Sequence, residues 1–94
     1  MLFKVSEWQS PSGDWHANCV DNLAGGSSTW YHPARILNIT PAAFVELLVK
    51  EYKPDNLFYN EDKNLLLFSW KNQTQMRKYK NWINAQARKV GYTV

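Results

Sequence analysis

The sequence predicts an α+β fold, a two-layer domain in which an antiparallel sheet of about four strands carries two helices on one face. Segments with strand patterns and segments with helical patterns follow one another in the order β-β-α-β-β-α. Short polar turns separate the two members of each strand pair, which is typical of hairpins. The 94 residues allow one domain, 1–94, and a hydrophobic fraction of 45% supplies its core.

Two strands and a turn are predicted at the start of the chain. Residues 3–8 and 15–20 alternate apolar with other side chains at the period of two that is typical of half-buried strands. Between them, Pro11 restricts φ and Gly13 tolerates positive φ, so both residues favour a tight turn. The two strands are therefore expected to pair as a hairpin.

The next segment, residues 22–39, has a less definite pattern. Residues 22–29 include a Gly-Gly-Ser-Ser run, and they are expected to form the most flexible loop of the chain. Residues 30–38 fit either a short helical turn that begins at Pro33 or an extended segment, and the sequence leaves both alternatives open.

A helix is predicted over residues 41–52. Thr40 is a favourable N-cap residue, and Pro41 suits the first helical position because the N–H that it lacks would be unsatisfied there. Lys53-Pro54 is expected to end the helix, because the residue before a proline is disfavoured in the α region. Apolar side chains repeat at helical spacing at Phe44, Leu47, Leu48 and Tyr52.

A second hairpin is predicted from two apolar segments, residues 57–59 and 65–70, which flank a polar turn. The second of these segments is almost wholly apolar. Strands that are buried on both faces have this composition, so it is expected to be a central strand that is covered on both sides.

The last helix is predicted to begin at Asn72 or Thr74, either of which can act as its N-cap. Gly91 follows its apolar residues directly, which is typical of a Schellman-type C-terminus. The apolar stripe recurs at the helical period and comprises Met76, Tyr79, Ile83, Ala87 and Val90.

Leu48, Phe68 and Ile83 are expected to lie together in the core, since each belongs to the apolar side of its element. The chain also has five tryptophans, and a core of this size rarely hides so many completely. Some of them are therefore expected to remain partly exposed at the rim of the core. The alternative is that an exposed tryptophan anchors a binding partner.

Cys19 is the single cysteine, so the chain forms no intramolecular disulfide. This composition is typical of a reducing compartment, and residues 1–7 lack the continuous apolar stretch of a signal peptide. No run approaches the roughly 18 apolar residues that a membrane span needs. A cytoplasmic location is therefore predicted.

Few side chains are available for catalysis or metal binding. His16, His32 and Cys19 are the candidate nucleophile and bases, but His16 and Cys19 lie three apart on a predicted strand and would point to opposite faces. One cysteine without a second ligand pair does not make a zinc motif. The sequence therefore predicts a protein that is not an enzyme and that uses no metal and no cofactor.

Charge is divided unevenly along the chain. Residues 1–62 carry four Lys or Arg and eight Asp or Glu, a net charge of −4, whereas residues 63–94 carry seven Lys or Arg and no acid, a net charge of +7. This asymmetry suggests an anionic partner for the last third of the chain. At about 100° per residue, one arc of the last helix, opposite the apolar stripe, carries Arg77, Lys78, Asn81, Arg88 and Lys89.

The helix dipole separates these cations into two groups. Arg88 and Lys89 lie in the last turn, where cations are favoured, so they are compatible with an ordinary solvated surface. Arg77 and Lys78 lie in the first turn, where cations are disfavoured, and this points to a role in binding. With Trp82 at the border of the arc and Lys71 just upstream, the candidate partner-binding site comprises Lys71, Arg77, Lys78, Asn81, Trp82, Arg88 and Lys89.

In residues 30–37 (Trp-Tyr-His-Pro-Ala-Arg-Ile-Leu) and 51–55 (Glu-Tyr-Lys-Pro-Asp) the chain resembles small proteins encoded by bacteriophages and prophages. The resemblance covers most of the chain. Such proteins with known roles are often non-enzymatic inhibitors of host machinery, including anti-CRISPR proteins. Many of those inhibitors are acidic mimics of DNA, and the net charge of +7 after residue 62 departs from that pattern.

Two functions are predicted as alternatives. The resemblance implies a phage or mobile-element accessory protein that binds and inhibits a host protein or ribonucleoprotein complex, with exposed aromatic residues and the basic helix as contacts. The alternative is a domain that binds nucleic acid directly through the basic helix, although the common nucleic-acid-binding motifs are absent. The sequence leaves the oligomeric state open.

Overall fold

The α+β class and the predicted order β-β-α-β-β-α are confirmed by the computed structural model. It describes residues 3–21, 26–27, 34, 36–60, 62 and 65–93. The strands are β1 (Phe3–Gln9), β2 (Trp15–Asp21), β3 (Gly26–Ser27), β4 (Asn56–Asn60) and β5 (Leu65–Ser69), and the helices are α1 (Pro41–Glu51) and α2 (Gln73–Lys89). No helix in this part of the chain is long and apolar enough to cross a membrane.

The strands form two antiparallel ladders. β1 pairs with β2 from Phe3 opposite Asp21 to Gln9 opposite Trp15, and β3 pairs with the end of β2. β4 and β5 form the other ladder. The two ladders meet where Trp15 and Trp70 exchange two backbone hydrogen bonds, with N···O distances of 2.6 and 2.9 Å. The predicted sheet is thus built from two ladders that one residue pair joins.

The structure describes part of the segment 22–39, for which the sequence pattern is least definite. Gly26 and Ser27 pair with Asp21 and Val20, although the sequence predicted a flexible loop there. The edge of β2 offers unpaired N–H and C=O groups to a neighbouring segment. This edge, and not the intrinsic strand propensity of Gly26 and Ser27, therefore accounts for the pairing. Residues 34, 36 and 37 are helical, in agreement with the short helical turn that was one of the two alternatives for residues 30–38. Trp30 and His32 lie outside the described residues.

α1 begins and ends as its sequence indicates. Thr40 is the N-cap, and its Oγ1 accepts a hydrogen bond from the Ala43 N–H at 3.1 Å. At the other end the N–H groups of Tyr52 and Lys53 both donate to the Leu48 carbonyl, at 2.9 and 3.0 Å. Lys53 has a φ of 45°, a left-handed conformation that satisfies this carbonyl and turns the chain out of the helix before the following proline.

α2 also has the ends that its sequence predicts. Asn72, and not Thr74, is the N-cap, since its Oδ1 accepts a hydrogen bond from the Thr74 N–H at 2.7 Å. The N–H groups of Gly91 and Tyr92 donate to carbonyls three and five residues earlier, at 3.1 and 3.0 Å. Gly91 has a φ of 94°, which glycine adopts at no steric cost. The predicted Schellman-type end is therefore confirmed.

One core lies between the helices and the adjoining side of both ladders. Leu48, Phe68 and Ile83 are buried in the same cluster, as predicted. The Phe68 ring meets both Phe44 of α1 and Tyr79 of α2, with ring centroids 6.4 and 5.4 Å away. Because a strand residue points to one face only, both helices lie on the same side of β5.

The prediction that β5 is covered on both faces is wrong. Leu66 and Phe68 are buried, but Leu67 between them is 52% exposed, and Phe58 opposite Leu67 is 53% exposed. An apolar composition does not distinguish a strand buried on both sides from a strand with one exposed apolar face. Since both helices occupy one side, the other side of the ladders, called the open face, keeps these apolar groups in solvent.

Ile83→Ala tests the packing of α2 on the core. Ile83 is fully buried, and its truncation is expected to lower the free energy of unfolding by about 2–5 kcal/mol, because apolar contacts are lost and a cavity remains. Urea unfolding followed by circular dichroism measures the change. Val49→Ala is the control, since Val49 is exposed and its truncation should change stability by less than about 0.5 kcal/mol. Equal effects of the two substitutions would contradict the assignment of this side of α2 to the core.

Candidate functional site

The predicted cations lie on the outer side of α2 and just before it, in a surface called the basic face. The buried residues of α2 recur on the opposite side of the helix, so this side is turned to solvent. No acid occurs in residues 63–94, so the cations are not paired along the helix itself. The members of the basic face, all exposed, are Lys71, Arg77, Lys78, Asn81, Arg88 and Lys89.

Glu7 of β1 engages two cations of α2. Its carboxylate accepts a hydrogen bond from Lys80 Nζ at 2.7 Å, and bonds from Arg77 Nε and Nη2 at 3.3 Å each. Glu7 lies opposite Ala17, which is buried, so this position belongs to the side of the ladder that the helices cover. The partners are 70 and 73 residues apart, and no sequence pattern links groups at such a distance.

This ion cluster changes the interpretation of the first-turn cations. By sequence, both Arg77 and Lys78 point to a role in binding, because the helix dipole disfavours cations in the first turn. Arg77 has a structural reason for its position, since Glu7 holds it, and the dipole argument for its binding role is removed. Lys78 has no carboxylate partner among the described residues, so the argument still applies to it.

The cluster also lowers the pKa of Glu7 below its ordinary value of 4.5, chiefly through the hydrogen bond from Lys80 and next through that from Arg77. Partial burial acts in the opposite direction and is outweighed. Because the folded-state pKa is the lower one, Glu7 stabilises the fold above the unfolded-state pKa. That stabilisation is lost as the pH falls through the folded-state pKa.

Trp82 lies at the border between the basic face and the core. It is half-buried, and its ring centroid is 5.2 Å from that of Tyr52 and 6.2 Å from that of Tyr79. Lys78 precedes it by four residues and therefore lies one turn away on the same side of the helix. The half-buried indole thus lies one helical turn from a cation, and its packing on Tyr52 and Tyr79 holds it in place.

The candidate catalytic residues do not come together where the structure describes them. His16 and Cys19 lie opposite Trp8 and Val5 of β1, positions that belong to opposite faces of the ladder. His32 lies outside the described residues. Within those residues, no three His, Cys, Asp or Glu are close enough to hold a metal ion together.

The open face carries a group of side chains that lies outside the binding site predicted from the sequence. Trp8 is 44% exposed and stacks on His16, with ring centroids 4.0 Å apart and 9° between the ring planes. Phe58 and Leu67 lie on the same side of the other ladder. Strand periodicity was the available signal, since Trp8 is three residues from the core residue Val5 and therefore faces away from the core.

A depression of about 300 Å³ opens on this side, next to β2 and the β4–β5 ladder. It is lined by His16, Asn56, Leu57, Phe58, Leu67, Phe68 and Ser69. The Asn56 amide donates a hydrogen bond to the Ser69 hydroxyl at 3.1 Å. Burial lowers the pKa of His16 and Asp14 opposes this, so the imidazole is mainly neutral at pH 7.

Comparison with known proteins finds no relative for this chain. No protein-family model, no curated protein and no solved structure matches it significantly. Its functional residues are therefore inferred from the charges and contacts of the chain itself.

Glu7→Gln is expected to flatten the dependence of stability on pH in acid. In the wild type, the free energy of unfolding falls as the pH drops from the unfolded-state pKa of 4.5 through the lower folded-state pKa, because protonation of Glu7 removes its ion pairs. The variant has no carboxylate at this position, so its stability should fall less steeply between about pH 5 and pH 3. Urea midpoints across this range measure both slopes.

Glu46→Gln is the matched control, because Glu46 is exposed on α1 and has no ion-pair partner among the described residues. The control should keep the slope of the wild type. A Glu7→Gln slope that equals the wild-type slope would contradict a stabilising role for the ion cluster.

Proposed function

We propose that this protein is a small non-enzymatic binding domain whose basic face docks on an acidic surface of a host protein or ribonucleoprotein complex and inhibits it. One observation carries the proposal. Lys78, Arg88 and Lys89 are exposed, and among the described residues none of them has a carboxylate partner. Unpaired cations on a rigid helix attract an anionic partner and speed its association.

The contrast between the two sides of α2 supports this proposal. On the side of β1, Glu7 neutralises Arg77 and Lys80. On the outer side, like charges remain together with no acid among residues 63–94 to offset them. Such an arrangement repels itself and weakens the folded state slightly, so a contribution to binding is the better account of it.

Trp82 favours a protein or ribonucleoprotein as the partner. Its indole packs against Tyr52 and lies one helical turn from Lys78, and tryptophan is enriched among interface hot spots. The resemblance to small phage and prophage proteins points the same way, because several of those proteins inhibit host complexes. Such a partner would lie in the host cytoplasm. A chain with a single cysteine suits this reducing compartment, because its fold does not require an intramolecular disulfide.

Direct binding of nucleic acid by the basic face is the second candidate. The cations that Glu7 does not engage run from Lys78 to Lys89 over about 17 Å of helix, and cations at such positions can contact a phosphate backbone. On duplex DNA, loss of one phosphate contact lowers the slope of log affinity against log salt by about one. On a protein, charge changes mainly slow association, whereas Trp82→Ala speeds dissociation.

Lys78→Glu combined with Arg88→Glu is expected to abolish partner binding and to leave the fold intact. Both side chains are exposed. The first change adds an acid where the helix dipole favours it and the second adds one where the dipole disfavours it, so the two effects on stability oppose each other. Capture of the partner from host lysate, with and without nuclease, measures binding, and thermal unfolding measures stability.

Lys50→Glu combined with Lys53→Glu is the matched control, because it makes the same change of net charge at exposed positions in and after α1. Capture by the wild type and by this control, but not by the Lys78 and Arg88 variant, supports the proposal. Equal capture by both variants would refute it. Loss of capture after nuclease treatment would favour the nucleic-acid candidate.

Cys19→Ala and His32→Ala, made separately, are expected to leave inhibition of the partner unchanged. The reason is that His16 and Cys19 occupy opposite faces of their ladder, so the chain offers no converging nucleophile and base there. Inhibition assays on the folded variants measure the effect. A loss of about 10²-fold or more, the size expected for a removed catalytic group, would overturn the non-enzymatic proposal.

A further inference from the structure

Three large apolar side chains are exposed together on the open face. Trp8, Phe58 and Leu67 are each exposed by about half. A lack of space for aromatic side chains in the core does not explain this exposure, since Trp70 and Phe44 are completely buried there. Large apolar groups that gather on one side of a domain indicate a contact surface.

The stacked pair on this face is organised before any ligand arrives. Trp8 and His16 lie directly opposite each other on β1 and β2, and their rings are nearly parallel at 4.0 Å. The neutral imidazole of His16 offers one hydrogen-bond donor and one acceptor. Such a platform suits a second planar ring that stacks on it or beside it.

The adjacent depression has the chemistry of a site for a planar ring with polar edges. At about 300 Å³ it is at the lower end of the volumes of ligand pockets. Phe58 and His16 both line it, and each offers a ring. Asn56 and Ser69 add a side-chain amide and a hydroxyl. The side-chain oxygen of Asn56 (Oδ1) accepts no hydrogen bond from the described residues.

The size of the exposed patch argues against a second copy of the chain as the occupant. With about 200 Å² for a large side chain, three residues that are half exposed present roughly 300 Å². A stable protein interface needs about 800 Å² from each partner. The patch matches one or two ring-sized groups instead.

The charges around the open face allow the anionic backbone of a nucleic acid to approach it. Among the strand residues whose side chains the structure describes, those on this side include no Asp or Glu, since Glu7 belongs to the helix side. Lys71 is exposed and lies two residues beyond Ser69, about 7 Å along an extended chain. The net charge of +3 also attracts a polyanion.

Two of the acids in the adjoining turns accept hydrogen bonds, and a third, Asp62 in the β4–β5 turn, is exposed. Asp14 accepts a hydrogen bond from the Ser12 hydroxyl and Asp55 accepts one from the Lys71 N–H, each at 2.8 Å. Neither carboxylate lines the depression. Neither of these two carboxylates therefore obstructs the depression, although the charge of Asp14 still acts on His16.

From these contacts we propose that the open face binds single-stranded nucleic acid, with one base in the depression against His16 and Phe58, next to Trp8. A sheet face with exposed aromatics stacks unpaired bases, which a duplex keeps inside its own stack. The polar edge of the base meets Asn56 and Ser69. This site is on the side of the sheet away from α2 and shares Lys71 with the basic face, so it does not depend on the role of the cations of α2.

Fluorescence anisotropy with labelled oligo(dT) and oligo(dA) of about 12 nucleotides, and with the duplex that the two form, tests this proposal. The single strands should bind more tightly than the duplex. Trp8→Ala and Phe58→Ala should each weaken single-strand binding by about 5- to 100-fold, because each removes a stacking ring. Val49→Ala is the control on the exposed side of α1 and should change nothing.

Trp8→Phe keeps a ring at the same position and should retain most of the affinity, so the test survives a Trp8→Ala variant that fails to fold. Thermal unfolding monitors the fold of every variant. Absence of binding at about 100 μM protein, or equal affinity for the duplex, would overturn the proposal.

The variant with Lys78→Glu and Arg88→Glu separates this site from the basic face. Single-strand binding that still depends on Trp8 and Phe58 in that variant supports the open face, whether or not the basic face has a partner. Binding that is lost in that variant and unchanged in Trp8→Ala and Phe58→Ala would place the nucleic acid on the basic face and overturn the inference. Binding of thymidine monophosphate as tight as that of oligo(dT) would also overturn it, in favour of a free nucleotide.

Discussion

The position of Trp70 determines how the parts of this domain meet. Its backbone exchanges two hydrogen bonds with Trp15 and so joins the two ladders. Its indole N–H donates to the Tyr52 carbonyl at the end of α1 at 2.7 Å, and its ring stacks on Tyr79 of α2 with centroids 5.4 Å apart. The side chain is completely buried, where an unmet hydrogen-bonding group costs about 1–3 kcal/mol. Both ladders and both helices are therefore positioned against one residue.

This junction places both helices on one side of the strands, and the exposed chemistry of the other side follows from that. With α1 and α2 together, the apolar sequence of β5 has one face in the core and leaves Leu67 in solvent next to Phe58. The stack of Trp8 on His16 stands on the same side. The domain thus presents a charged helix surface and an aromatic sheet surface in opposite directions.

A single carboxylate sorts the cations of α2. Glu7 takes Arg77 and Lys80 into an ion cluster that attaches the helix to β1, while Lys78 and the two cations of the last turn remain in solvent. An ion pair at the surface contributes little to stability by itself, and the buried residues of α2 already set which side of the helix faces β1. The charge that is free for a partner is accordingly smaller than the net +7 of residues 63–94, and it is confined to the outer side.

The sequence by itself determined the features that act over a few residues. Thr40, Asn72 and Gly91 mark the helix ends because capping joins groups that are near in the chain. Strand and helix periodicity likewise predicted the element order and the burial of Ile83. Only the tertiary structure decided that Glu7 holds Arg77 and that Leu67 is exposed. The first is a contact between segments 70 residues apart, and the second depends on which side of β5 the helices cover. Neither can be predicted from the residues close by in the sequence.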